Sequence, residues 1–265
     1  MADTLAARAV DVLTAPDPAD KQALSAAAVA AWRGGALAVG RATPPDRPAR
    51  PVRPELKAPR DMPRRRAAQT LAGRIALLHA LAHIELNAID LAWDIVARFT
   101  HESLPRSFYD DWVTVAGEEA RHFGLLRERL AGLGAAYGDL PAHDGLWQAA
   151  EATADDLAAR LAVVPLVLEA RGLDVTPAMI ERLTAAGDEA SVHVLEIIYR
   201  DEIGHVAIGR RWFEFVCARQ GREPEAAYHD HVRDRFKGRI KPPFNTAARD
   251  AAGLTAGYYE PLVER

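Results

Sequence analysis

The sequence predicts an all-α protein: an antiparallel four-helix bundle with extra helices before it and a helical tail after it. Three observations carry this. Alanine, leucine and arginine dominate, and alternating β-branched runs are nearly absent, which is a helical composition. Four long stretches space their apolar residues three and four apart, so each has one apolar face. In each of the four, a glutamate stands where the apolar stripe calls for a hydrophobe.

Residues 3–14 and 18–33 read as two short helices. The second is entered through Asp17-Pro18, an N-cap followed by a proline in the first turn, and left at Gly34-Gly35. Residues 1–40 are thus an N-terminal helical extension. Between Arg41 and Arg66 stand seven prolines and nine basic residues. Such a stretch cannot hold a helix and reads as an extended linker or strap over the main domain.

The bundle is expected over 67–220. Its first helix runs from Ala67 to Phe99, with Leu71, Ile75, Leu78, Ala82, Glu85 and Ile89 in the seam. The second opens at Pro105 and ends near Gly132-Leu-Gly134, with Trp112, Val115, Glu119, His122 and Leu126 in phase. The third is expected from Leu146 to Ala170, with Pro165 interrupting it and Gly172 closing it. Ala162, Leu166, Glu169 and Leu173 keep its phase. Thr176-Pro177 then has the chemistry of a helix start, which predicts a short inserted helix ending at Gly187. The fourth runs from Asp188 to Gln220, with Val192, Leu195, Tyr199, Glu202, His205, Trp212 and Phe215 in its seam. Residues 221–265 are read as a tail with one more helix and a turn at Lys241-Pro-Pro-Phe-Asn245.

Composition bounds the function. The chain has 265 residues, a formal net charge of -4 and a single cysteine, Cys217. A chain of this length can bury a sizeable core. No global positive field advertises a nucleic acid, and one thiol excludes an internal disulfide framework or a multi-thiolate metal site. The opening residues lack a secretory pattern. The longest weakly polar stretch, Ala23 to Trp32, is short of the roughly 20 residues that span a bilayer. The expectation is a cytoplasmic protein with no membrane partner.

The four seam carboxylates hold the chemistry. Burying an unpaired carboxylate costs at least several kcal/mol, so four of them need a common cause. Two recur as Glu-x-x-His, Glu119-Ala-Arg-His122 and Glu202-Ile-Gly-His205, and no other such pair occurs in the chain. Residues three apart share a helix face, so a carboxylate and an imidazole can share one metal ion. Glu85 precedes Glu119 by 34 residues and Glu169 precedes Glu202 by 33, so the site is repeated in two helical hairpins. Four carboxylates bring four negative charges, which two divalent cations cancel. Oxygen-rich ligation with one imidazole per metal suits iron(II) or manganese(II); zinc sites use more nitrogen or sulfur.

This order of Glu, Glu-x-x-His, Glu, Glu-x-x-His resembles the ferritin-like carboxylate di-iron superfamily over roughly Ala67 to Gln220. The resemblance implies two iron ions, with manganese or a mixed pair as variants. It implies that Glu119 and Glu202 bridge, that Glu85 and Glu169 are terminal, and that His122 and His205 are the nitrogen ligands. In the oxygenase branch an acid often precedes each motif glutamate and supports a ligand histidine, and Glu118 and Asp201 stand at those positions. Three stretches carry a narrower likeness: His83-Ile-Glu85 through Asp94, Glu118-Glu-Ala-Arg-His-Phe-Gly-Leu-Leu126 and Tyr199-Arg-Asp-Glu-Ile-Gly-His205. With Lys241-Pro-Pro-Phe-Asn245 they resemble an uncharacterised bacterial ferritin-like family classed as a domain of unknown function. That family shares its fold with a di-iron hydroxylase of modified tRNA.

The remaining polar residues read more simply. His83 is two residues from Glu85 and so faces elsewhere. Asp90 and Asp94 are expected to bond to other helices. Tyr199 lies one turn before Glu202 and is the one candidate for a catalytic or hydrogen-bonding tyrosine at the pocket. Cys217 reads as a small buried hydrophobe. The functional expectation is a dioxygen-dependent di-metal oxidoreductase acting on an unidentified substrate, with an external electron donor. Iron handling of the ferroxidase or storage type is the alternative, though the first 66 residues and the tail sit badly in a ferritin shell. A metal pair kept only for stability is the third reading. A tRNA substrate has only the basic 41–66 segment in its favour, against an acidic total charge.

Overall fold

The computed structural model describes residues 3–58, 61–62 and 68–263. The start of the first long helix at Ala67 and the basic run Arg64-Arg65-Arg66 lie outside them. The protein is mostly helical. Among the described residues there is no strand, only three isolated bridges. The chain forms two compact units: Met1–Trp147 with Ala185–Val194, and Gln148–Thr184 with Leu195–Arg265.

In the first unit, α1 (Leu5–Thr14) and α2 (Pro18–Arg33) precede the long α3 (Leu71–Arg98) and α4 (Arg106–Gly132). Asp17 caps α2 by accepting from the Ala19 and Asp20 amides at 2.8 and 3.1 Å. Gly34 ends it and Gly35 turns the chain at φ 72°, so the sequence signals at both ends are used. Helix α3 packs on α4 and on α1, and α2 packs on α4. Trp93, Phe108, Trp112, Phe123 and Leu126 fill the interior.

Helix α3 is long and apolar enough to cross a membrane, a stretch the sequence reading passed over in favour of Ala23 to Trp32. Yet 67% of its most apolar window is buried within the protein. It also carries buried Glu85, Asn87, Asp90 and Asp94, so it is a core helix.

The proline-rich segment runs extended along this unit. Ala49 N donates to Leu13 O at 2.8 Å, and Arg98 Nη2 reaches Pro45 O at 2.9 Å. Arg50 donates to Asn87 at 2.6 Å and pairs with Asp90. Asp90 also receives Lys21 Nζ at 2.5 Å, and both of those side chains are fully buried. Burial pulls the Lys21 ammonium below its usual range against the pull of Asp90. Asp94 pairs instead with Arg98 on its own helix.

The second unit departs from the sequence reading. A single third helix was expected over 146–170, but three pieces stand there. Helix α5 (Gly145–Glu151) is followed by a break capped by Asp156, then α6 (Leu157–Val163), then a π-helical stretch, Val164–Glu169. Pro165 sits in the first turn of that stretch, where its missing N–H fits a change of hydrogen-bond pattern. Gly172 does not close anything: α7 runs unbroken from Ala170 to Ala185, with Pro177 inside it. The carbonyl of Leu173, which Pro177 cannot serve, accepts from Asn245 Nδ2 at 3.1 Å instead. Helix α8 (Glu189–Gln220) follows. The tail holds more than the one expected helix: α9 (Pro224–Arg235), α10 (Thr246–Ala251), α11 (Ala256–Tyr259) and a 3₁₀ turn at Glu260–Leu262.

Candidate metal centre

In the first unit, α3 brings up Glu85 and α4 brings up Glu119 and His122. The three side chains are 4%, 1% and 0% exposed. His122 Nδ1 lies 3.3 Å from Glu85 Oε2 and 3.5 Å from Glu119 Oε2. One ligand atom from each of the three lies within 4.8 Å of the others. Leu78, Ala82, Ile89, Phe123 and Leu126, all fully buried, leave these groups little water.

The electrostatics follow from that crowding. Burial, then the neighbouring Glu119 charge, push the Glu85 carboxyl well above its usual range. Burial pulls His122 down, but the close Glu119 and Glu85 carboxylates win and push it up to about 11. Glu85 and His122 are thus both pushed toward holding protons where a cation could sit. The cluster asks for a cation, and its donors, two carboxylates and an imidazole, suit a divalent ion of intermediate hardness.

In the second unit, α8 carries Glu202 and His205. Glu202 is 9% exposed and His205 is fully buried. His205 Nδ1 lies 3.6 Å from Glu202 Oε1, the same one-turn pairing that α4 makes. Glu169 ends the π-helical stretch and is half-buried.

The other singled-out residues have these places. Tyr199 accepts from Asn245 Nδ2 at 2.8 Å, so its hydroxyl is tied to the tail motif. Glu118 and Asp201 are half-buried, and Asp201 lies 3.4 Å from Arg200 Nε. His83 spends both ring nitrogens away from Glu85, on the Tyr137 hydroxyl at 2.9 Å and the His143 carbonyl at 3.0 Å. Cys217 is buried, and burial pushes its thiol up to about 11, which leaves it unreactive. Asn245 had no assigned role in the sequence reading. It also caps α10 by accepting from Ala248 N at 3.2 Å. Its motif was visible, but its partners are 46 and 72 residues away.

Residues 14–260 match the model of a family described as "Protein of unknown function (DUF455)". The chain belongs to the DUF455 family. Both Glu-x-x-His motifs and both preceding glutamates lie inside the DUF455 match. A relative from Haemophilus influenzae, described as an uncharacterized protein, is 46% identical over 214 residues, covering 77% of this chain and 73% of its own. No solved structure gives a significant match.

Proposed function

We propose that this DUF455 protein is a dioxygen-dependent oxidoreductase of the ferritin-like, four-helix carboxylate type. Its metal ligands are Glu85, Glu119, His122, Glu169, Glu202 and His205. The observation that carries the reading is the buried Glu85–Glu119–His122 cluster, whose Glu-x-x-His half recurs in Glu202 and His205. Four carboxylates call for two divalent ions, which cancel their charge and remove most of the cost of burying them. Iron, or iron with manganese, fits the donor set.

The metal pair, when bound, supplies the redox chemistry that dioxygen oxidation of a substrate requires. The protein's share is separate. His122 and His205 each stand one turn from the glutamate they accompany, so each imidazole is held beside a carboxylate. The apolar side chains around Glu85 exclude water, which strengthens every charge interaction there. Tyr199, one turn before Glu202 in the sequence and bonded to Asn245, would hold a proton there rather than bind metal.

The test is elemental analysis of protein purified without added metal, followed by dioxygen uptake by the reduced, loaded form. Two ions of iron or manganese per chain are expected. Glu119→Ala and Glu202→Ala are each expected to lower metal affinity by more than the roughly 10–100-fold typical of supporting residues. Retention of both ions in these variants overturns the assignment. Growth of a mineral core in a very large particle transfers the site to iron storage.

A further inference from the structure

Helix α4 carries, beyond His122, a face that the proposed chemistry does not use. Residues three and four apart share a helix face, so Gly124, Arg127, Glu128 and Ala131 stand together. Arg127 and Glu128 flank the line from Gly124 to Ala131, one on each side. Within the first unit this face is one wall of a cleft of about 360 Å³. Gln22 of α2 and the turn Ala135-Ala136-Tyr137 line the rest of it. Small-molecule sites have roughly 300–1,000 Å³, so the cleft is large enough for one.

The lining is firm where it is apolar. The Tyr137 ring stacks on His79 and meets Phe123 edge-on, each with ring centroids 5.3 Å apart. Its hydroxyl is bonded to His83 Nδ1 at 2.9 Å. Tyr137 therefore offers a fixed aromatic surface. Gly124 lets Gln22 come close: a Cβ at Gly124 would lie 2.4 Å from Gln22 Nε2. The Gln22 amide is thus seated on the helix backbone beside Arg127.

The two charges in the lining do not pair. Arg127 and Glu128 are successive residues, which do not face each other on a helix. Arg127 touches only neutral groups: its Nη1 donates to Gln22 Oε1 at 3.4 Å, and its guanidinium lies 5.6 Å from the centre of the Phe123 ring. Glu128 is exposed and has no partner among the described residues. Asp139, an acid two residues beyond Tyr137, is outside the lining and accepts from the Ala136 amide at 2.7 Å. The cleft thus presents one cation and one anion, neither met by an opposite charge. A plain carboxylate would suit Arg127 and be repelled by Glu128, and a plain amine the reverse. A molecule with both charges on one carbon satisfies both.

We propose that this cleft binds a free α-amino acid with a large apolar side chain. Gln22 occupies Nη1 of Arg127 and leaves Nε and Nη2 to the ligand carboxylate. Glu128 accepts from the ligand ammonium, and Tyr137 takes the side chain. The assignment does not depend on the metal reading.

The experiment is calorimetric titration of the full-length protein with L-phenylalanine at low salt and neutral pH. Three comparison ligands each lack one part: 3-phenylpropionate the ammonium, phenethylamine the carboxylate, and glycine the side chain. L-phenylalanine is expected to bind saturably, at least about tenfold tighter than any of them. Glu128→Gln is expected to weaken it to the level of 3-phenylpropionate, and Arg127→Gln to the level of phenethylamine. A merely structural role would weaken all the ligands alike. Ala131→Trp changes an exposed position and fills the cleft. It is expected to abolish binding with the circular dichroism spectrum unchanged. Absence of saturable L-phenylalanine binding at millimolar concentration overturns the site. Equal binding of 3-phenylpropionate overturns the Glu128 contact, equal binding of phenethylamine the Arg127 contact, and equal binding of glycine the Tyr137 contact. L-phenylalanine binding unchanged in Ala131→Trp overturns the cleft as its place.

Discussion

The two units carry the same Glu-x-x-His motif beside lone glutamates on differently built helices. In the first unit Glu85 sits mid-way along α3, 28 residues of unbroken α-helix. In the second unit the counterpart, Glu169, ends a π-helical stretch that begins beside Pro165 and follows a break after α5. The Glu-x-x-His helices, α4 and α8, are by contrast both regular. A near-repeat of ligand spacing therefore does not imply a repeat of backbone. The short-range signal, three residues on one helix face, carries over; the path to the lone glutamate does not.

That contrast implies different weak points. Helix α3 stays unbroken while carrying polar groups on two sides: Glu85 on one, and His83, Asn87 and Asp90 on the other. The second side is held by the proline-rich segment and by Lys21. Asp90→Ala leaves the fully buried Lys21 with only the Val12 carbonyl at 2.8 Å, and leaves Arg50 without its carboxylate. The expected loss is about 3–5 kcal/mol of unfolding free energy in urea titration. A loss below about 1 kcal/mol means that α3 needs no such anchor, and the contrast with the second unit fails.

The π-helical stretch should fail by crowding. A Cβ added to Gly209 on α8 would lie 2.4 Å from Pro165 Cβ and 2.5 Å from its Cγ. The proline ring cannot swing away, so Gly209→Ala is expected to cost about 1–3 kcal/mol. Gly204, on the same helix, meets nothing within 4 Å. Gly204→Ala is therefore expected to gain up to about 1 kcal/mol, because alanine loses less backbone freedom in a helix. Thermal unfolding of both variants checks the pair, and equal effects would mean that Pro165 is not seated on that glycine.

Much of this was legible locally. Asp17-Pro18, Gly34-Gly35 and Pro105 mark helix ends that the structure keeps, and both Glu-x-x-His pairs lie on one face as their spacing requires. What was not legible depends on distant partners. Thr176-Pro177 reads as a helix start because proline removes a donor, yet the helix continues since Asn245 fills the vacant Leu173 carbonyl from 72 residues away. Pro165 reads as an interruption. Why the chain tolerates it there depends on a bare backbone at Gly209, 44 residues on, which no local pattern announces. Asp90 looked like a partner for another helix. It is that, through Lys21, but its second partner, Arg50, comes from a stretch with no helical pattern at all.

The first unit should also answer acid. There, His79 is 1% exposed, and its Nε2 accepts from the Gly138 and Leu140 amides at 2.9 and 3.4 Å. Burial lowers its pKa, with Asp139 pulling the other way. A folded-state pKa below the unfolded value means that this stability is complete above about pH 6.5 and is lost as the pH falls below it. The limit is about 1.4 kcal/mol for each pH unit over which the unfolded chain alone takes the proton. Protonation would also remove the lone pair that both amides use. His79→Gln is thus expected to lose stability at pH 7.5 but to flatten the decline between pH 7.5 and 5.5, the rest of that decline including buried His83 and, in the second unit, His231, both lowered by burial. Urea titrations at the two pH values decide it. An unchanged slope in His79→Gln would place the acid sensitivity elsewhere in the chain.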